Sequence, residues 1–144
     1  MNTTQISRSS IIFLSFLITL SFVPLFDAGI DIPRRTNVKV TNVLGRGTDL
    51  TIYCRDKKND LGKQVVKFEE SWEFRFKPNF WGTTLFHCTL QWDYEFKYFN
   101  IYVEMRDLER CHRECWWHIR KDKPCLMDWD TWQYNQCEVY VDGP

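Results

Sequence analysis

Thiol and imidazole side chains cluster between residues 111 and 118, where they could form a metal site. Cys111, His112, Cys115 and His118 lie within eight residues, and cysteine sulfur and histidine nitrogen are the usual ligands of tetrahedral zinc. Structural zinc sites, however, use paired short spacings between ligands, which this segment lacks in a clean form. Cysteines of secreted proteins are instead oxidised to disulfides. The sequence therefore favours disulfide bonding here, and we expect no metal and no other cofactor.

Two histidines, His87 and His118, are the residues from which acid–base catalysis could be built, because imidazole titrates near neutral pH. No nucleophile motif or oxyanion loop accompanies them. His118 also alternates away from the apolar face formed by Cys115, Trp117 and Ile119, so we expect it to face solvent. The sequence therefore predicts a binding protein rather than an enzyme, and a small secreted hydrolase is the less favoured alternative.

Aromatic and acidic side chains alternate from residue 128 to residue 134. Trp129 and Trp132 could stack on sugar rings, and Asp128 and Asp130 could offer oxygen ligands to a cation. Calcium would need further convergent oxygens, and the segment has no EF-hand spacing. Because aromatic side chains bury large areas, we expect the two tryptophans to cover one open end of the fold. A carbohydrate-binding or cell-wall-binding module is the alternative.

Charged residues of both signs are concentrated in three segments, 55–60, 106–110 and 120–123. Strands commit their side chains to packing, whereas loops at strand ends are free to bind a partner. We therefore expect these segments to be the recognition loops. The basic residues proposed to contact a partner are Arg55, Lys57, Lys58, Arg106, Arg110, Lys121 and Lys123.

The N-terminal segment has the pattern of a secretory signal peptide. Arg8 precedes an apolar run over residues 11–23, and Ala28 offers a small residue for cleavage. We therefore expect a signal peptide over residues 1–28, secretion to the extracellular space, and one mature domain over residues 29–144. Removing the leader takes away one basic residue, Arg8, and one acidic residue, Asp27, so the net charge stays at zero. This balance argues against nucleic acid as a partner. Because no second apolar run follows, we expect no membrane insertion. We also expect the protein to be a monomer.

All six cysteines lie in the expected mature domain, and an even number in a secreted chain indicates a disulfide framework. The chain could form three bonds, and about 15 connectivities are open to six cysteines. Each bond is expected to stabilise the fold by about 2–4 kcal/mol. The cysteines are Cys54, Cys88, Cys111, Cys115, Cys125 and Cys137.

The elements that must hold these groups are short strands, because apolar residues alternate with period two. The alternation predicts strands near residues 38–40, 50–54, 72–77, 84–92, 98–105, 115–119 and 137–141. Turn residues stand at 45–47, 59–62, 78–79 and 121–124. No segment has a convincing helical stripe. The predicted fold is all-β, a small antiparallel β-sandwich stapled by disulfides.

The order of these motifs resembles the plant self-incompatibility protein family, whose members include the S-protein homologues. The matching segments are 50–54, 60–62, 72–76, 84–88, 99–102 and 106–107, together with Trp92, Cys111, Cys115, Trp117 and Cys125. The resemblance implies a secreted β-sandwich with disulfides. It also implies a ligand for a cell-surface receptor, as in the family members that the pistil releases to reject self pollen. The recognition loops are accordingly candidate receptor-binding residues.

Overall fold

Runs of alternating apolar residues build two five-stranded β-sheets in the computed structural model, which describes residues 35–142. The strands are β1 (Thr36–Asn42), β2 (Leu50–Arg55), β3 (Asp60–Val66), β4 (Ser71–Phe76), β5 (Leu85–Trp92), β6 (Glu95–Val103), β7 (Glu114–Ile119), β8 (Pro124–Asp128), β9 (Gln133–Cys137) and β10 (Val141–Asp142). A short helix, α1 (Glu104–Arg110), links β6 to β7. The predicted signal peptide, residues 1–28, lies outside the described residues.

The two sheets pack against each other around one apolar core. Sheet 1 has the strand order β4-β1-β7-β8-β9, and sheet 2 has the order β10-β6-β5-β2-β3. In β5, the inward side chains Phe86, Cys88, Leu90 and Trp92 are at most 3% exposed, whereas the residues between them are more exposed. This period-two burial is what a sheet with one wet face requires. The predicted all-β sandwich is confirmed.

One strand pair departs from the antiparallel pattern. β1 pairs with β7 in parallel, so that Val38 lies opposite Cys115 and Val40 lies opposite Trp117. Parallel neighbours need a long crossover connection, and here that connection includes β2 to β6 and α1. Because α1 leads into β7, the position of this helix determines where β7 pairs with β1 in sheet 1.

Aromatic side chains fill the core where the two sheets meet. Phe76 of β4 lies 4.6 Å from Phe86 of β5 and 4.8 Å from Tyr102 of β6, measured between ring centroids. Along β6, the apolar residues Phe99, Ile101 and Val103 alternate with Tyr98, Asn100 and Tyr102, which predicts Tyr102 on the wet face. That prediction is wrong, because Tyr102 is fully buried. Its burial follows a register shift between β5 and β6 at Phe86 and His87. Burial, with the Glu104 carboxylate nearby, raises the pKa of Tyr102 to about 12.

The six cysteines form three disulfides. Within sheet 2, Cys54 of β2 is bonded to Cys88 of β5, and within sheet 1, Cys125 of β8 is bonded to Cys137 of β9. The third bond joins Cys111 to Cys115, between the end of α1 and β7. Each bond therefore fastens neighbouring segments of one sheet or of one connection, and the apolar core holds the two sheets together.

The helix corrects two predictions. The sequence predicted no helix and continued a strand to Met105, but β6 ends at Val103 and Met105 is 84% exposed on α1. The Asp107 carboxylate ends the strand by accepting a hydrogen bond from the Val103 N–H at 2.8 Å. Seven residues are too few for the hydrophobic period to indicate a helix. No helix within residues 35–142 has the length and apolar character needed to cross a membrane.

Two predicted boundaries are also wrong. The strand predicted over residues 137–141 is absent as such, because β9 ends at Cys137 and β10 begins at Val141. The turn predicted over residues 59–62 lies instead at residues 56–59, and β3 begins at Asp60. The displacement arises because the Asp56 side chain, rather than a glycine, supplies the hydrogen bonds of the turn.

We predict that replacing an inward residue of β6 destabilises the protein far more than replacing its outward neighbour. Ile101→Ala removes a fully buried side chain and leaves a cavity, which is expected to cost about 2–5 kcal/mol. Asn100→Ala changes an exposed side chain and is expected to change stability by no more than about 0.5 kcal/mol. Urea denaturation of both variants measures the difference. Equal losses would show that the inward and outward faces of β6 are misassigned.

Candidate binding surfaces

The charged segments predicted to bind a partner occupy three different places. Arg55, Lys57 and Lys58 lie at the β2–β3 turn, near the beginning of β1. Lys121 and Lys123 lie in the β7–β8 turn, which follows the pairing of Ile119 with Asn42 at the other end of β1. Arg106 and Arg110 lie on α1. The structure therefore does not bring the seven residues together into one surface.

The β2–β3 turn is held by the carboxylate of Asp56. Its Oδ1 accepts hydrogen bonds from the N–H of Lys58 at 2.7 Å and from the N–H of Asn59 at 2.5 Å. Partial burial raises the pKa of Asp56, but these hydrogen bonds outweigh it and leave the pKa below its usual value. Lys57 and Lys58 are exposed, so a turn of defined shape presents both ammonium groups to solvent.

A cavity of about 290 Å³ opens beside this turn. Its walls combine an aromatic floor with a basic rim. The floor includes Phe74, Phe76 and Phe86, and the rim carries Arg35, Arg75 and Lys77. We call the exposed cations of the turn and the rim the basic edge, which consists of Arg35, Lys57, Lys58, Arg75 and Lys77. The chain has no net charge, so the basic edge is a local concentration of positive charge.

Arg106 and Arg110 are part of the fold rather than of a loop. The guanidinium of Arg106 donates to both oxygens of Asp107 at 2.8 Å, and it also donates to the Asn100 carbonyl at 2.8 Å. Arg110 donates to the Glu138 carboxylate at 2.6 Å. Asp107 is fully buried, and a buried carboxylate must be paired to be tolerated. The predicted loop over residues 106–110 is wrong, because these residues form α1. Both arginines are committed to intramolecular bonds.

The two histidines considered for catalysis are kept apart. His87 lies on the outward side of β5, where its Nε2 accepts a hydrogen bond from Arg55 Nε at 3.0 Å. His118 lies on the outward side of β7 in the other sheet. Because the core separates these two faces, His87 and His118 do not form an acid–base pair.

His118 is less exposed than the sequence predicted. Its ring stacks on Tyr134, with ring centroids 3.3 Å apart. Burial, assisted by the positive charges of Arg120 and Lys39, lowers the pKa of His118 to about 4. The imidazole is therefore neutral at physiological pH.

The segment considered for zinc is closed by a covalent bond. Cys111 and Cys115 are joined in a disulfide, so their sulfurs are not available as thiolate ligands. Within residues 35–142, no group of three or more histidine, cysteine, aspartate or glutamate residues is arranged to hold a metal ion.

Trp129 and Trp132 lie on the outer face of sheet 1 rather than over an open end of the sandwich. Trp116 alternates with the core residue Trp117 and therefore points outward. Trp129 packs edge-on against Trp116 with ring centroids 4.8 Å apart, and Trp132 packs edge-on against Trp129 at 5.4 Å. Sequence reasoning missed Trp116, although the alternation in β7 already placed it outside. We call these three residues the tryptophan surface.

These features are those of a small β-sandwich protein with intrachain disulfides. Lysines are exposed in two of its turns, and the tryptophan surface lies on one sheet face. The family model for plant self-incompatibility protein S1 matches residues 37–140. The chain belongs to this family, as its motif order predicted.

Individual relatives agree with this assignment. S-protein homolog 5 of Arabidopsis thaliana is 47% identical over 94 residues, which cover 65% of this chain and 72% of the relative. Self-incompatibility protein S1 of Papaver rhoeas is 37% identical over 116 residues, 78% of this chain and 76% of the relative. A solved SPH (self-incompatibility protein homologue) structure matches with a TM-score of 0.53 at 17% identity, covering 77% of this chain and 91% of that one. That structure supports the fold.

We predict that Asp107 is among the residues on which stability depends most. Asp107→Ala removes the partner of Arg106 and the acceptor of the Val103 N–H, and breaking a buried pair in this way is expected to cost about 3–5 kcal/mol. Glu109→Ala changes an exposed residue of the same helix and serves as the control. Thermal and urea unfolding measure the difference. A loss below about 1 kcal/mol for Asp107→Ala would contradict a structural role for the ion pairs.

We also predict a pH dependence of stability from His118. The folded-state pKa of about 4 lies below the value of about 6.5 for an unfolded chain. Between these values the unfolded state binds more protons, so the stability contributed by neutral His118 is complete above about pH 6.5 and is lost as the pH falls toward 4. His118→Gln should make the fall in unfolding free energy shallower over this range. Tyr134→Ala, which uncovers the imidazole, should do the same, and an unchanged slope in both variants would refute the assignment.

Proposed function

We propose that the protein is a secreted ligand that binds a cell-surface receptor, and that it acts by recognition rather than by catalysis. Membership of the plant self-incompatibility family supports this role, because one relative is named for self-incompatibility. The matching solved structure belongs to proteins described as small, highly stable and secreted. Three disulfides also suit an oxidising extracellular compartment. By analogy with the family, we propose that this recognition takes place between pollen and pistil.

The observation that carries the proposal is the basic edge. The sandwich gives a rigid support, Asp56 defines the shape of the turn, and the exposed cations surround a cavity with an aromatic floor. A neutral chain that concentrates positive charge at one end can be oriented by an acidic patch on a partner. The receptor surface expected to fit is therefore acidic, with an apolar side chain able to enter the cavity.

Of the predicted recognition residues, Lys57 and Lys58 belong to this surface, and Arg55 lies directly beside it. Arg106 and Arg110 are bound to Asp107 and Glu138, so we assign them a structural role. Lys121 and Lys123 remain exposed at the opposite end of β1. This separation provides a matched comparison between two basic turns of the same protein.

We predict that reversing the charges of the β2–β3 turn weakens receptor binding without unfolding the protein. The double variant Lys57→Glu with Lys58→Glu should slow association with plant cell surfaces about tenfold at low salt, because it removes electrostatic steering. The melting temperature should stay nearly unchanged, since exposed charges contribute little to stability. The measurement is the association rate of fluorescently labelled protein with protoplasts, taken at two salt concentrations, for the part of the binding that is saturable.

The matched control is the double variant Lys121→Glu with Lys123→Glu, which makes the same change in net charge near the opposite end of β1. If the proposal holds, this control binds at nearly the wild-type rate. Equal slowing in both variants would indicate that net charge, not the basic edge, governs association. Unchanged binding of the Lys57 and Lys58 variant would refute the proposed receptor surface.

A further inference from the structure

We propose that the tryptophan surface of Trp116, Trp129 and Trp132 is a second binding site, and that its ligand is a glycan chain built of pyranose rings. This site lies on the outer face of sheet 1 and uses none of the residues of the basic edge. The inference is therefore independent of the proposed receptor binding.

The tryptophan surface is fixed in shape by hydrogen bonds. Trp129 Nε1 donates to the Glu114 carbonyl at 2.9 Å, and Trp116 Nε1 donates to the Glu114 carboxylate at 2.9 Å. The β8–β9 turn is closed by the Trp132 N–H, which donates to the Asp128 carbonyl at 2.7 Å. The Asp128 side chain accepts a further bond from the Asp130 N–H at 2.9 Å. A ligand would meet aromatic rings that are already ordered, which lowers the entropic cost of binding.

Trp132 adopts a costly backbone conformation without burying its side chain. It has a φ of 57°, a left-handed conformation that costs a non-glycine residue energy. Its side chain is nevertheless 70% exposed, so burial returns little of that cost. An exposed tryptophan held in a strained turn, next to another aromatic ring, is better explained by contact with a ligand than by packing.

The planes of the rings are steeply inclined to each other, which suits stacking on separate sugar units rather than on the flat surface of a polysaccharide. Trp129 and Trp132 are inclined at 85°, and Trp116 and Trp129 at 71°. The Lys39 ammonium lies 4.6 Å from the centre of the Trp116 ring and covers one of its faces. The stacking positions are therefore on Trp129 and Trp132, at a steep angle to each other, which suits a soluble chain or a chain end.

Polar groups beside the rings match the hydroxyls of a sugar. A shallow depression of about 520 Å³ is lined by Cys111, His112, Arg113, Glu114 and Trp129. Its volume falls within the range of about 300–1,000 Å³ that small-ligand sites occupy. The bonds from Asn37 and Trp116 both reach Oε2 of Glu114, so Oε1 can accept from a hydroxyl. Arg113 is exposed and can donate.

A glycan fits this site better than a second protein does. Three tryptophan side chains offer less than about 750 Å² even if none of their area were already covered, so a protein partner would have to extend well beyond them to bury about 800 Å² on each side, as a stable interface does. The side chains around the rings carry charges of both signs, from Lys39 and Arg113 on one hand and Glu114 on the other. Aromatic faces with a few hydrogen-bonding groups are the arrangement that binds a ring with one C–H face and an equatorial set of hydroxyls.

The test uses the variant Trp132→Gly, which removes the stacking ring and relieves the left-handed backbone at the same time. Calorimetric titration of the intact secreted protein with soluble oligosaccharides of glucose, of galactose and of galacturonic acid provides the measurement. We expect the wild-type protein to bind at least one of these probes, and we expect Trp132→Gly to weaken that binding at least tenfold. The melting temperature of the variant should be unchanged or higher.

Trp81→Gly is the matched control, because Trp81 is 81% exposed in a different loop. It should bind the same oligosaccharide as the wild type does. Trp132→Tyr should retain part of the binding, because it keeps an aromatic face. Absence of binding to all three probes, or wild-type binding by Trp132→Gly, would overturn the proposal. Failure of the receptor test at Lys57 and Lys58 would leave these results unaffected.

Discussion

The buried carboxylate of Asp107 is the constraint on which the connection from sheet 2 to sheet 1 depends. It is fully buried, and it is tolerated because Arg106 and the Val103 N–H bond to it while Arg110 lies close by. These bonds end the last long strand of sheet 2 and hold the helix that leads to β7. Since β7 pairs with β1, the same carboxylate indirectly sets where sheet 1 is completed.

The two candidate surfaces follow from this arrangement in different ways. The tryptophan surface depends on β7, because Glu114 and Trp116 lie at its beginning, on either side of Cys115, which is bonded to Cys111 at the end of the helix. The basic edge combines the β2–β3 turn, which is closed by Asp56, with Arg35, Arg75 and Lys77 on the rim of the aromatic floor between the sheets. The two surfaces thus depend on different segments of the chain. Changes in the β2–β3 turn can alter one form of recognition without disturbing the other.

Period-two alternation predicted the strands whose one face is buried, such as β5 and β7, because the core imposes that pattern directly. It failed at Tyr102, where a register shift turns an outward residue inward, and at Met105, where a carboxylate ends the strand. It could not predict the parallel pairing, which joins segments far apart in sequence. For the binding residues, charge indicated Lys57 and Lys58 correctly as exposed. It could not reveal that Arg106 is paired with buried Asp107 and Arg110 with Glu138. The family resemblance succeeded because the order of many weak motifs is specific.

The parallel pairing of β1 with β7 has a consequence for how the chain folds as it emerges. Asn37 lies opposite Glu114, so the first strand has no partner on that side until most of the domain is available. Contacts between residues so distant in sequence are slow to form, because the intervening chain must be ordered first. During synthesis, sheet 2 can assemble from neighbouring hairpins while β1 waits with an unpaired edge. An unpaired strand edge of this kind is a site at which incomplete chains can aggregate.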